Sequence, residues 1–174
     1  MTTNSYSTTA KFSNQQEHPG SLPVHYLYPA ALFANRQPHL VNTILGSCVA
    51  VCLFDKALKI GGINHYMLPF WNGIGLASPK YGNIAIEKLY GQMLSFGSKH
   101  YNIEAKVFGG GEVIETKSAN FNIGTRNVQF ALETLEEMKI HVVGKSVGGK
   151  QGRKIQFISN TGEVRQKFVG TNNY

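Results

Sequence analysis

The chain is short of acidic residues, of cysteine and of long apolar runs, and each shortage closes off a class of protein. No apolar run approaches the roughly 18–20 residues needed to span a bilayer, so membrane insertion is not expected. The N-terminus carries no apolar stretch of the secretory kind, and a cytoplasmic location is expected. Two cysteines, Cys48 and Cys52, are too few for a disulfide framework and agree with a reducing compartment. Ten Asp+Glu against seventeen Lys+Arg leave a formal charge of +7. An excess of that sign suits either nucleic acid or an acidic protein surface. The basic residues are scattered, with Lys150, Arg153 and Lys154 the only dense group, so an acidic protein partner is expected and nucleic acid is not.

What is present is a chain of 174 residues, 42% apolar and 16% charged, enough for one domain with a substantial core. Residues 1–20 are polar and aperiodic and read as a disordered tail, His18 included. Residues 21–174 read as a single domain. Pro23 and Pro29 interrupt the segment 21–35, which reads as a short edge strand and a turn. Strand-like runs follow at 40–45, 48–54 and 60–68, with 55–59 as a hairpin turn. Residues 69–82 form a loop rich in glycine and proline that holds the only tryptophan, Trp71; it reads equally as a border of a binding site or as a cover over the core. Ile86, Leu89, Tyr90, Met93, Leu94 and Gly97 then share one helical face. A strand at 104–108 stops at Gly109-Gly110-Gly111. A second helix spans about 125–138, and strands at 140–147, 153–159 and 163–169 end the chain, the last two as a hairpin. About eight strands and two helices in mixed order give an α+β fold.

The candidate chemistry centres on Cys48. Gly46-Ser47 delivers it through a sharp turn onto the start of a β-branched run, where exposed backbone N–H groups can stabilise an oxyanion. Cys52 shares that strand roughly 13 Å further on from the rise per residue. That is beyond the Cα separation of about 7 Å that a disulfide tolerates, and the spacing is not one that zinc favours. Cys52 therefore reads as core. His65 lies seventeen residues after Cys48 on the next strand, and a histidine beside a thiol favours thiolate–imidazolium and nucleophilic chemistry. Gly144-Lys145-Ser146 ends like a phosphate-binding loop, but Lys139 occupies the place of its first glycine. No cofactor and no metal are expected. Gly109-Gly110-Gly111 reads as a tight turn or a wall of the site.

Leu45-Gly46-Ser47-Cys48-Val49-Ala50-Val51 and His65-Tyr66-Met67-Leu68-Pro69 resemble the paired signatures of the CheD family, the chemoreceptor glutamine deamidases of bacterial chemotaxis. The similarity continues through Val107–Gly111, Asn122-Ile123-Gly124-Thr125-Arg126-Asn127, Gly148-Gly149 and Gly152-Arg153-Lys154, covering residues 25–170. The resemblance implies a cysteine nucleophile at Cys48 and a catalytic histidine at His65. It also implies a threonine upstream that orients the histidine; Thr43 is favoured for its hydroxyl, with Asn42, one residue earlier, as the alternative. It implies a layered α/β/β/α-type sandwich with mixed sheets, akin to toxin-type cysteine deamidases. The implied reaction turns receptor glutamine into glutamate with loss of ammonia through a thioester. The implied partners are methyl-accepting chemotaxis receptors and a CheC-type phosphatase. The alternative is a non-catalytic docking module that binds receptors or such a phosphatase, with the thiol incidental.

Overall fold

Nine strands and two helices make up the computed structural model, which describes residues 21–113 and 122–170. The tail expected over residues 1–20 lies outside the described residues. β1 (Val24–Tyr26), β3 (Leu40–Leu45), β8 (Gly152–Ile158) and β9 (Glu163–Val169) form one sheet in the order β1-β3-β8-β9. β2 (Ala31–Asn35), β4 (Val49–Asp55), β5 (Ile60–His65), β6 (Ile103–Gly109) and β7 (His141–Val147) form the other in the order β2-β5-β4-β6-β7. Both sheets are mixed. β1 runs parallel to β3 and β7 parallel to β6, and every other pair is antiparallel.

β4 is an uninterrupted apolar run except for its final Asp55, and all seven of its residues are buried. Such a strand suits a sheet covered on both faces. Its alternate residues divide accordingly. Val49, Val51 and Leu53 face the helices α1 (Gly82–Ser95) and α2 (Ile123–Glu137), where Ala85, Ile86, Leu89, Met93, Ala131 and Leu135 complete one core. Ala50 and Cys52 face the four-stranded sheet and join Leu27, Val41, Leu45, Ile155 and Phe157 in a second core. Full burial of each large aliphatic side chain contributes roughly 1.5–3 kcal/mol.

Two expectations need correction. Both helices pack on the five-stranded sheet. Among the described residues the layers therefore run sheet, sheet, helices, not α/β/β/α with helices on both outer faces. The segment 21–35 supplies two strands, not one: β1 edges the first sheet and β2 the second, joined through a turn in which Ala30 takes φ 63°. α1 begins at Gly82 without a side-chain cap, and the Asn83 carboxamide in its first turn accepts the backbone N–H of Trp71 at 3.0 Å. The helix ends at Ser95, and Gly97 just beyond it takes φ 100°. No helix among the described residues is long and apolar enough to cross a membrane.

Candidate active site

The chain passes from one sheet to the other between β3 and β4, and Gly46, Ser47 and Cys48 make that passage. Three glycines at the end of β6 back the turn. Gly111 N–H donates to the carbonyl of Gly46 at 2.9 Å and Gly110 N–H to that of Cys48 at 2.8 Å. The approach is too close for a side chain. A Cβ on Gly109, whose φ is 107°, would lie 2.3 Å from the Cys48 carbonyl oxygen, so the triple glycine is a wall of the site as well as a turn. Arg153 is buried behind this wall at 2% exposure. Its guanidinium donates to the carbonyls of Gly109 at 3.1 Å and Gly148 at 2.6 Å and to Ser146 Oγ at 3.2 Å. Arg153 is thus structural, so the group dense in sequence, Lys150, Arg153 and Lys154, does not form one basic surface.

Cys48 is half-buried and packs on the core between the sheets. Burial pushes its thiol pKa up, while its own backbone N–H, lying against the sulfur, pulls the other way. Neither Ser47 N–H nor Cys48 N–H donates to a backbone carbonyl or side-chain oxygen among the described residues, which leaves donors at the head of the turn. Cys52 is fully within the same core, and burial raises its thiol pKa much further. It is a core residue, as its spacing suggests.

His65 ends β5. Its neighbour Tyr66 exchanges two backbone hydrogen bonds with Val49, at 3.1 and 3.0 Å. Continuing that register places Cys48 diagonally across from His65. Both side chains face away from the helices, because Val49 and Tyr66 fill the helix side. Same-face diagonal neighbours on antiparallel strands lie roughly 7–8 Å apart at the backbone, within reach of a long or aromatic side chain.

Thr43 resolves the register left open between Asn42 and Thr43 as far as contact goes. From β3 of the opposite sheet its Oγ1 lies 2.8 Å from His65 Nδ1 and 2.7 Å from the Leu27 carbonyl. Asn42 points to the other face, where its Oδ1 accepts the Gln156 amide at 3.0 Å. A hydroxyl has one proton, and the Leu27 carbonyl can only accept. The Thr43 oxygen therefore accepts a proton from Nδ1–H, and the neutral ring keeps its lone pair on Nε2. This tautomer follows from the network of acceptors. His65 is 1% exposed, its Nε2 has no hydrogen-bond partner among the described residues, and burial lowers its pKa from the usual 6.5 to about 4. At neutral pH the site therefore rests as thiol and neutral imidazole. The thiolate–imidazolium pair expected from adjacency alone is not the resting state.

Asn127 escapes a reading by spacing. Helix α2 buries it completely behind both strand ends, and only its place in the Asn122–Asn127 motif marks it.

Comparison with known proteins is consistent across the chain. A family model described as CheD chemotactic sensory transduction matches residues 67–168. A probable chemoreceptor glutamine deamidase CheD of Trichlorobacter lovleyi is 48% identical over 140 residues, covering 80% of this chain and 87% of the relative. Its counterpart in Sulfurimonas denitrificans is 46% identical over 145 residues, covering 83% and 93%. That of Rhodospirillum rubrum is 38% identical over 149 residues, covering 86% and 84%.

Proposed function

The chain belongs to the CheD family, and from that premise we propose that it deamidates glutamine side chains of methyl-accepting chemotaxis receptors, with Cys48, His65 and Thr43 as its catalytic set. The observation that carries the reading is the hydrogen bond from His65 Nδ1–H to Thr43. It leaves the Nε2 lone pair free on the face that the Cys48 thiol occupies.

The chemistry follows from a neutral resting pair. The sulfur attacks the carboxamide carbon as its proton passes to Nε2, so charge separates only when substrate is present. The carbonyl oxygen becomes an oxyanion, and the Cys48 N–H, already turned to the sulfur, stabilises it. The C–N bond then breaks, and Nε2–H gives its proton to the departing ammonia, leaving a thioester on Cys48. Water attacks the thioester carbon, Nε2 takes its proton, and the sulfur leaves and recovers that proton from the ring. Glutamate is the product. Thr43 holds the imidazole in one tautomer throughout.

Receptors enter this reading from the names of the relatives. The receptor signalling region is the substrate, the cytoplasm is the setting, and a CheC-type phosphatase is a docking partner. Residues 21–174 act as one cysteine deamidase domain. A turn-borne cysteine beside a strand-borne histidine also supports the likeness to toxin-type cysteine deamidases. The test is mass spectrometry of a purified receptor fragment incubated with enzyme. The Gln→Glu mass increment is expected with the parent protein and absent with Cys48→Ala. Deamidation retained by a folded Cys48→Ala protein would sink the thiol mechanism. Receptor binding without any deamidation by the parent would favour the docking module.

A further inference from the structure

We infer that Asn127 is a positioning residue that sets the Cys48 turn against the His65 strand, an inference that rests on the deamidase reading above. The ladder between β4 and β5 has its last rung at Val49 and Tyr66. Beyond it the backbone groups of the two chains take other partners. The Cys48 carbonyl accepts from Gly110 on the β6 side, and Met67 N–H donates to the carbonyl of Lys80. Bonded and unbonded pairs alternate along an antiparallel ladder, so the next rung would join Ser47 to Leu68; instead Leu68 N–H donates to the carbonyl of Lys80 at 3.1 Å and its carbonyl accepts from Gly82 at 2.8 Å. Beyond the Val49–Tyr66 rung, then, no backbone hydrogen bond ties the turn that carries the thiol to the strand end that carries the imidazole.

The Asn127 carboxamide spans the gap. Its Nδ2 donates to the Ser47 carbonyl at 3.0 Å and to the Met67 carbonyl at 2.9 Å. One carbonyl belongs to the residue before Cys48, the other to the second residue after His65. The amide thus replaces the missing rung from outside the sheet. Only a group with two protons on one atom can serve two carbonyls in this way. The flipped amide would set an oxygen against both.

The helix that carries the amide is itself fixed to the same wall. Tyr66 Oη donates to the Asn127 carbonyl. Glu112 Oε1 accepts from Thr125 N–H at 3.0 Å and Thr125 Oγ1 at 3.1 Å. Gly124 approaches Gly110 so closely that a Cβ would meet its carbonyl oxygen at 2.6 Å. The Oδ1 of Asn127 is buried with no partner among the described residues. An amide kept for packing alone would not carry that cost. Its two donated bonds meet at the reacting pair, which is where the benefit falls.

The test measures deamidation of a receptor fragment and alkylation of Cys48 by iodoacetamide, in the parent, Asn127→Ala and Asn127→Ser proteins, with folding followed by circular dichroism. Loss of the clamp misplaces the pair without touching the substrate-binding surface. In Asn127→Ala we expect kcat to fall at least ~10-fold with KM within about twofold, and in Asn127→Ser, which keeps one donor, a smaller fall. The opened turn solvates the thiol, so alkylation at pH 7 becomes faster and its pH profile moves down. A general loss of structure would also expose Cys52, so faster alkylation confined to Cys48 separates the two. A folded Asn127→Ala protein with kcat within twofold of the parent, or with a superimposable alkylation profile, overturns the inference. So does failure of both variants to fold, since the amide would then serve folding and not the site. A parent protein that deamidates nothing defeats the deamidase reading alone, because the alkylation profile still decides the clamp.

Discussion

At the scale of single residues, the site depends on a hydroxyl that cannot donate to the histidine it touches. Thr43 gives its only proton to Leu27 and so fixes which nitrogen of His65 is free. Thr43→Val keeps the shape and removes the acceptor, so kcat for deamidation is expected to drop at least ~10-fold while Thr43→Ser stays near the parent. Steady-state assays on a receptor fragment check both. Burial also makes His65 a liability in acid. Its folded pKa of about 4 lies below the usual 6.5. Above pH 6.5 both folded and unfolded chains hold it neutral, and no penalty arises. As pH falls from 6.5 to 4 the unfolded chain takes up the proton first, and stability declines by up to about 3 kcal/mol. Denaturant melts of the parent and of His65→Gln at pH 7.5 and pH 4.5 are expected to show the larger acid loss in the parent. That Cys48 and His65 lie on neighbouring strand ends was legible in the sequence, because a turn before a β-branched run and a short hairpin bring those two positions together. The choice between Thr43 and Asn42 was not, since adjacent strand residues face opposite ways and only the pairing of β3 with β8 says which faces inward.

At the scale of elements, the wall formed by the end of β6 governs how the cysteine is presented. Gly109→Ala would place a methyl group within the Cys48 carbonyl and force a side chain into φ 107°. Loss of deamidation and destabilisation by more than about 2 kcal/mol are expected, measured by activity and thermal melting. The wider element pattern was largely readable. Period-2 and period-3.6 patterning gave both helices and the later strands, and Asn160-Thr161-Gly162 gave the β8–β9 hairpin. The segment 21–35 was misjudged because two very short strands separated by a proline-bearing turn look like one interrupted strand. Nothing local shows that they edge different sheets.

For the molecule as a whole, layer order was beyond the sequence. The apolar stripes of α1 and α2 demand a covered face but do not name it, and both choose the five-stranded sheet. Among the described residues, no helix covers the outer face of the four-stranded sheet. That face sets Lys154 directly opposite Lys167, beside Arg165. Like charges placed so repel each other, and the only ion pair among the described residues, Arg165 with Glu163, offsets one of these local charges. Such a field speeds encounter with an acidic surface and is screened by salt. Raising ionic strength from about 0.01 to 0.15 M is therefore expected to lower kcat/KM on a receptor fragment and to leave Cys48 alkylation by neutral iodoacetamide unchanged. A salt-independent kcat/KM would remove the charge from the account of substrate capture. The second cysteine has a different use. Cys52 is sealed between the sheets, so a thiol reagent should titrate one equivalent in the native protein and a second only when the sheets part. The chain thus carries its own stopwatch: the first equivalent counts competent sites, and the lag before the second times the opening of the core.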